Sequence, residues 1–142
     1  EQLANSMSIS GHTVRRYLDI LAGTFMVRIL PPWHENIEKR QIKSPKIYLR
    51  DSGLMNTLNH IESNDQMRTS PLKGAIWEGF ALEEVIKALH LNPEECFFWR
   101  TNGGAELDLF ILKNGERIGF EFKYGDVPKT TKSMHIVLEN FM

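Results

Sequence analysis

Cysteine is almost absent from this chain, whose 142 residues include a single one, Cys96. One thiol cannot form an internal disulfide, and it cannot build a metal site of the Cys-x-x-Cys type. A disulfide framework is therefore excluded within the chain. Because low cysteine usage is typical of reducing compartments, a cytoplasmic location is expected.

Long apolar runs are also lacking, since no segment approaches the roughly 18 residues that a membrane span needs. The first residues, Glu1 to Asn5, have neither the basic flank nor the apolar core of a signal peptide. The pattern G-x-x-x-x-G-K-[ST] is missing too, so the chain holds no P-loop for ATP. It has no initiator methionine and opens in a helical pattern, so we expect a fragment with no membrane partner.

The composition that remains is that of a globular protein, with 42% hydrophobic and 25% charged residues. The formal net charge of −1 conceals an asymmetry between the two halves. Residues 1–50 carry eight Lys and Arg against four acids, and residues 51–142 carry nine against fourteen. A basic half beside an acidic half suggests two units with different partners.

The first unit begins with two helices around a tight turn, within residues 1–21. Val14, Leu18 and Leu21 follow helical spacing, and Ser10 is a favourable N-cap for the second helix. Two strands at 25–30 and 46–50 and a short helix at 51–60, capped by Asp51 or Ser52, complete it. A helix-turn-helix followed by a hairpin predicts a winged helix over residues 1–60.

A polar segment at 61–70 reads as a linker to the second unit. The second unit, residues 71–142, shows a long helix at 72–90, three strands and a final helix at 129–141. The strands are predicted at 97–100, 105–112 and 117–124. The predicted fold class is therefore α/β (α+β), with a winged helix followed by a mixed-sheet domain.

A hairpin is the strongest local signal in the second unit. Asn114-Gly115 is the favoured pair for a two-residue type I′ turn, and it aligns partners whose numbers add to 229. Asp108 then lies opposite Glu121. Alternation places one polar and one apolar face on the hairpin. The polar face holds Glu106, Asp108, Glu121 and Lys123, and the apolar face holds Leu107, Leu109, Ile111, Ile118, Phe120 and Phe122.

Two carboxylates opposed on a sheet repel each other, so something must offset the repulsion between Asp108 and Glu121. A divalent cation is one explanation, because oxygen ligands suit Mg²⁺ or Mn²⁺. The other is a solvated face screened by Lys123. The residues alone leave both open.

The long helix adds a further carboxylate. On a helical wheel Glu78 falls within the apolar arc, whereas Glu83 falls on the opposite side with the other charged residues. A carboxylate that faces a core needs a partner. Candidates are Arg100, Lys123 and a metal ion at Asp108 and Glu121, and a buried Glu78–Arg100 ion pair is the purely structural alternative.

Glu78 on a helix, then Asp108, then Glu121-Phe122-Lys123 resembles the PD-(D/E)XK pattern of the restriction-endonuclease-like superfamily. The resemblance implies that Asp108 and Glu121 bind Mg²⁺ or Mn²⁺, that Glu78 completes the shell and that Lys123 positions water. A metal ion in such a site stabilises phosphate charge and acidifies its water. Leu107-Asp108 stands where the pattern has Pro-Asp.

A wider series of motifs resembles the C-terminal half of a prokaryotic family of predicted AAA+ superfamily ATPases. That family implies a winged helix, a nuclease-like domain of unknown function, and ATP only in a module upstream of this chain. It also implies at least one further strand after residue 142, so we expect the chain to be truncated at both ends. The motifs are Thr13-Val14-Arg15-Arg16-Tyr17-Leu18, Leu30-Pro31-Pro32-Trp33, Lys43-Ser44-Pro45-Lys46-Ile47-Tyr48, Arg50-Asp51-Ser52-Gly53-Leu54, Trp77-Glu78-Gly79-Phe80, Phe98-Trp99-Arg100-Thr101, Ala105-Glu106-Leu107-Asp108 and Glu121-Phe122-Lys123-Tyr124.

Two functions from different classes follow from these readings. In the first, the chain binds DNA and processes it with a metal ion. In the second, it is a catalytically silent module that packs on its own N-terminal ATPase module. The DNA contacts of the first reading would come from the second helix and the wing, namely Thr13, Arg15, Arg16, Lys39, Arg40 and Lys43.

Overall fold

The computed structural model describes residues 2–34, 44–101, 103–125 and 130–141. Within these residues it has six α-helices, five strands and a short 3₁₀ helix at Pro93–Glu95. The helices are α1 Gln2–Ser6, α2 Gly11–Gly23, α3 Ser52–Leu58, α4 Asn64–Thr69, α5 Lys73–Ala88 and α6 Lys132–Phe141. The strands are β1 Val27–Leu30, β2 Lys46–Leu49, β3 Cys96–Arg100, β4 Glu106–Lys113 and β5 Glu116–Phe120.

The fold is a mixed α/β arrangement with two small antiparallel sheets. Strands β1 and β2 pair with each other, and the second sheet has the order β3-β4-β5. The coarse fold class predicted from the sequence is confirmed. No helix in the described ranges has the length and apolar character required to cross a membrane.

Helices α2 and α3 begin at the side-chain caps that the sequence offers. The Ser10 side chain accepts a hydrogen bond from the Thr13 backbone N–H at 3.1 Å, as predicted. Asp51 caps α3 by accepting from the Leu54 backbone N–H at 2.8 Å. These caps satisfy N–H groups that have no partner within their own helix.

A helix lies within the segment that the sequence analysis assigned to a linker. Helix α4 spans Asn64–Thr69 and begins with a capping box, in which the Ser63 hydroxyl accepts from the Gln66 N–H and the Gln66 amide oxygen accepts from the Ser63 N–H. Its sequence is polar and has no apolar periodicity, so the residue pattern did not predict a helix there. The local cap chemistry is nevertheless sufficient to start a short helix.

The β4–β5 hairpin has the predicted register. Leu109 faces Phe120 and Lys113 faces Glu116, so paired numbers add to 229 along the ladder. Asn114 and Gly115 have φ of 53° and 82°, the left-handed conformation that a type I′ turn requires. The ladder ends at Leu109–Phe120, one pair before Asp108 and Glu121.

The two predicted units share one core. Leu30 from β1 packs in the same cluster as Leu82 and Ile86 of α5 and the inner residues of β3 and β4. Beyond β1, the chain runs parallel to β3: the Phe98 N–H donates to the Pro31 carbonyl at 2.9 Å, and Pro32 and Phe98 form a bridge. The first unit therefore extends into the second through backbone hydrogen bonds and shared apolar burial.

Burial departs from the predicted faces in β4, β5 and α5. Asp108 and Phe110 are both buried, so β4 is covered on both faces. Ile118, predicted to face the core, lies on edge strand β5 and is exposed. Glu83, predicted to face solvent, is only 2% exposed because β1 and its neighbour pack over that side of α5 and supply arginine partners.

Candidate functional site

A lysine from the first unit occupies the centre of the acidic residues of the second. Lys46, the first residue of β2, places its Nζ 3.2 Å from Glu78 Oε1 and 3.0 Å from Asp108 Oδ1. The same Nζ forms an ion pair with Glu106. Carboxylates from α5 and β4 thus converge on one ammonium group. We call these four residues the Lys46 cluster.

Tyr48, two residues further along β2, points the same way as Lys46. Its Oη donates a hydrogen bond of 2.6 Å to Glu78 Oε1, the oxygen that Lys46 also contacts. Burial raises the pKa of the Tyr48 phenol, and the hydrogen bond to Glu78 raises that pKa further. Tyr48 is therefore neutral and serves as a donor to Glu78 at physiological pH.

The Lys46 ammonium is held in its charged form. Burial alone lowers the pKa of Lys46, but the hydrogen bond with Glu106 and the charges of Asp108 and Glu78 outweigh burial. The net result is a pKa of Lys46 above its usual range. The ammonium consequently neutralises part of the carboxylate charge, the role that the sequence analysis offered to a divalent cation.

Asp108 and Glu121 each have other partners. Asp108 Oδ2 accepts a hydrogen bond from the Phe122 backbone N–H at 2.8 Å, in addition to the ion pair of its Oδ1 with Lys46. Glu121 is hydrogen-bonded to the Thr131 hydroxyl and is 2.9 Å from Lys123 Nζ. Thr131 immediately precedes α6, so Glu121 anchors the start of that helix.

These contacts do not present a ready metal site. Within the described part of the chain, no group of three or more His, Cys, Asp or Glu side chains is arranged to hold a metal ion. Asp108 and Glu121 were predicted as joint ligands, but each is tied to protein donors and Lys46 stands among the other carboxylates. The residues as arranged do not fit Mg²⁺ or Mn²⁺, and we derive no metal-dependent step from them.

The remaining predicted catalytic residues have structural partners. Lys123 pairs with Glu121, and its side chain is 68% exposed. Glu78 pairs with Lys46, whereas Arg100 lies 3.4 Å from a carboxylate oxygen of Glu106. The protein partners proposed for Glu78 were Arg100 and Lys123, and the structure places Lys46 and Tyr48 there instead.

A second ion-pair cluster joins the units toward the other end of β2. Glu83 of α5 accepts hydrogen bonds from Arg28 of β1, with Arg28 Nη2 at 3.0 Å, and from Arg50 Nε at 3.3 Å. Two arginines around one buried carboxylate give a charge-assisted link with several donors. This cluster is a structural clamp between β1, β2 and α5.

The predicted DNA-contacting residues fall into three groups. The Thr13 hydroxyl lies 2.8 Å from the Ser10 hydroxyl and belongs to the cap of α2. Arg15 and Arg16 are exposed on that helix. The wing residues Lys39, Arg40 and Lys43 lie outside the described residues.

Sequence reasoning missed Lys46 and Tyr48 as partners of the acidic residues. Their contacts with Glu78 and Asp108 span 30 to 62 positions of sequence. Both belong to the Lys43–Tyr48 motif, and Lys46, Tyr48 and Arg50 alternate with apolar residues along β2. That alternation was the only local signal that two polar side chains share one face.

Comparisons with known proteins give two family matches and no assigned activity. Residues 1–65 match the model of a domain of unknown function, DUF8612, and residues 73–140 match that of another, DUF4143. The chain is 44% identical over 137 residues to uncharacterized protein Rv2008c of Mycobacterium tuberculosis (strain ATCC 25618 / H37Rv). It has the same identity to uncharacterized protein Mb2031c of Mycobacterium bovis (strain ATCC BAA-935 / AF2122/97).

These alignments cover 96% of this chain and 31% of each relative, so the chain spans less than a third of the length of the curated relatives it matches. No solved structure matches. Each half of the chain is therefore similar to one domain of unknown function, in the order DUF8612 and DUF4143.

Proposed function

We propose that this chain is a catalytically silent protein-interaction module of a longer AAA+ family ATPase. The observation that carries the proposal is the Lys46 cluster. An ammonium from the first half of the chain stands among the carboxylates of the second half, and Asp108 and Glu121 are tied to protein donors. The assignment to an ATPase family rests on the order of motifs along the chain.

The surface of α1 and α2 supports a role in protein contacts. Leu3 of α1, Met7 directly after that helix, and Tyr17 and Ile20 of α2 are each about half exposed. Tyr17 and Ile20 have the spacing of one helical face. We call these four residues the apolar helix face. Exposed apolar residues on one side of a domain mark contact sites. We propose that the ATPase module covers this face in the full-length protein.

The experiment is a thermal melt of the full-length protein with and without millimolar Mn²⁺. If the module is silent, Mn²⁺ should not change the melting temperature of this part of the protein, because the Lys46 ammonium already neutralises the carboxylates. A bound ion would raise the melting temperature through RT ln(1 + [L]/Kd), and Asp108→Asn would abolish the rise. That pair of results would overturn the proposal and favour metal-dependent DNA processing.

The contact itself is tested by hydrogen exchange in the full-length protein. The double variant Tyr17→Asp/Ile20→Asp should increase exchange in α1 and α2 and weaken association with the ATPase module. Exchange in β3 and β4 should stay the same. A matched control, Asp19→Asn, changes charge on the same helix without altering the apolar face.

DNA binding by α2 is the second candidate, and the exposure of Arg15 and Arg16 favours it. Each phosphate contact adds a slope of about −0.9 to log affinity against log salt. The variant Arg15→Ala/Arg16→Ala should therefore weaken duplex binding and make it less dependent on salt. Equal, salt-independent binding by both proteins would leave the interaction module as the sole candidate.

A further inference from the structure

Three aromatic side chains that are not part of the Lys46 cluster form an exposed patch. Trp77 and Phe80 lie on α5, and Tyr124 follows β5; they are 40%, 41% and 49% exposed. The ring centroid of Trp77 is 5.8 Å from that of Phe80 and 6.4 Å from that of Tyr124. We call these three residues the aromatic patch. None of these three residues belongs to the ion pairs described above or to the apolar helix face.

Cationic residues adjoin the aromatic patch. Lys73 Nζ lies 5.7 Å from the centroid of the Tyr124 ring and donates a hydrogen bond of 3.0 Å to the Arg68 carbonyl. Lys123 precedes Tyr124 in the chain, but its Nζ pairs with Glu121 at 2.9 Å, so Lys73 is the cation that contacts a ring of the patch. Exposed rings beside ammonium groups complement a ligand that is both planar and anionic.

A slot of about 180 Å³ opens at the patch between α3, α4 and α5. Trp77, Phe80, Tyr124 and Lys73 line it, together with Asn56 of α3. The Asn56 Oδ1 atom is buried and accepts no hydrogen bond from any described residue. An amide without a partner beside the rings can turn toward a donor on a ligand, whereas an apolar peptide side chain would leave it unpaired.

We propose that the aromatic patch binds single-stranded nucleic acid. Bases stack on Trp77 and Tyr124, Lys73 contacts the phosphate backbone, and the Asn56 amide hydrogen-bonds a base edge in the slot. Stacking on aromatic side chains beside a cationic surface is the usual way in which proteins hold unpaired nucleotides. The proposal is independent of whether α2 contacts duplex DNA and of whether the module is silent.

The test measures the fluorescence anisotropy of labelled dT₁₂ and rU₁₂ with the full-length protein, without ATP. Alanine at Trp77 or Tyr124 should weaken binding by about 5- to 100-fold, the range typical of lost base stacking. Lys73→Ala should weaken it and reduce the salt slope by about 0.7. The matched control is Phe25→Ala, because Phe25 is 74% exposed but lies outside the patch.

Binding of both oligonucleotides with these losses would support the proposal, and preference for one would identify DNA or RNA as the source of the strand. Circular dichroism melts identify variants that fail to fold, and for these the conservative Trp77→Phe replaces the alanine. The proposal is overturned if neither oligonucleotide binds at low salt, or if all variants bind alike. It is also overturned if hydrogen exchange shows the patch covered by another protein segment in the absence of nucleic acid.

Discussion

Lys46 shows how one residue sets the chemistry of a whole cluster. Its ammonium contacts carboxylates from two elements, and its side chain is 23% exposed. Without it, Glu78, Glu106 and Asp108 would be left close together with little to offset their repulsion. The electrostatic state of the predicted catalytic face thus depends on a residue from the other half of the chain.

We expect Lys46→Met to lower the free energy of unfolding by about 2 kcal/mol at pH 7, less than the 3–5 kcal/mol typical of breaking a fully buried pair. Urea denaturation at pH 7 measures the loss. Lys87→Met is the control, because Lys87 pairs with Glu84 on an exposed helix surface; an equal loss in both variants would contradict the prediction.

Because the Cys96 thiol is buried, we expect the protein to lose stability at alkaline pH. It is 1% exposed, and burial raises the pKa of its thiol to about 11. The unfolded thiol ionises near pH 8.5, so between these values the unfolded state releases a proton that the folded state keeps. The free energy of unfolding should therefore fall as pH rises, by about 2 to 3 kcal/mol near pH 11.

Urea denaturation from pH 8 to 10.5 tests this, with Cys96→Ala as the comparison. The variant should start from lower stability because it leaves a cavity, but its stability should decline less steeply with pH. The folded thiol should also react slowly with iodoacetamide at pH 8. Parallel pH slopes in the two proteins would refute the role of Cys96.

At the scale of elements, short polar signals start helices that lack strong periodicity. Helix α4 has six residues and none is buried, so packing contributes little to it. A helix of that length is marginal by itself. The capping box at Ser63 and Gln66 is therefore the main local reason that the helix begins there.

Ser63→Ala should destabilise α4 by about 1 kcal/mol, because the Gln66 N–H loses its acceptor. Ser63→Asp should retain stability, since aspartate is also a good N-cap. Amide hydrogen exchange in residues 64–69 provides the local measurement. Faster exchange in both variants, or in neither, would show that the cap does not determine the helix.

At the scale of the whole molecule, the two halves are bound into one body by three kinds of contact. The shared core includes Leu30, the backbone of 31–33 pairs with β3, and ion pairs from Lys46, Arg28 and Arg50 reach carboxylates of the second half. Elements that share a core and hydrogen bonds are expected to unfold together.

The variant Glu83→Gln tests whether the two halves unfold together. Its carboxylate is buried between Arg28 and Arg50, so the neutral amide leaves two cations poorly compensated and should cost about 3 kcal/mol. Far-ultraviolet circular dichroism and tryptophan fluorescence should still report one coincident transition, at lower denaturant. Glu84→Gln, on the exposed side of α5, is the control. Two separate transitions in the wild type would show that the halves unfold independently.

The parts of this protein that its sequence determined by itself are local. Ser10, Asp51 and Asn114-Gly115 act on backbone within a few residues, so the helix starts and the β4–β5 register follow from the residue types alone. Such signals need no knowledge of distant segments. The α/β class follows from the same short-range periodicities.

The tertiary structure alone decided what the charged residues do. The helical wheel placed Glu83 toward solvent, and it left Arg100, Lys123 and a metal ion as candidate partners of Glu78, because each glutamate was judged against its own helix. Their partners, Arg28 and Lys46, lie 55 and 32 positions away, and packing of β1 and β2 on α5 brings them together. The free energy of a buried charge depends on what surrounds it in space, and a helical wheel holds no information on that environment.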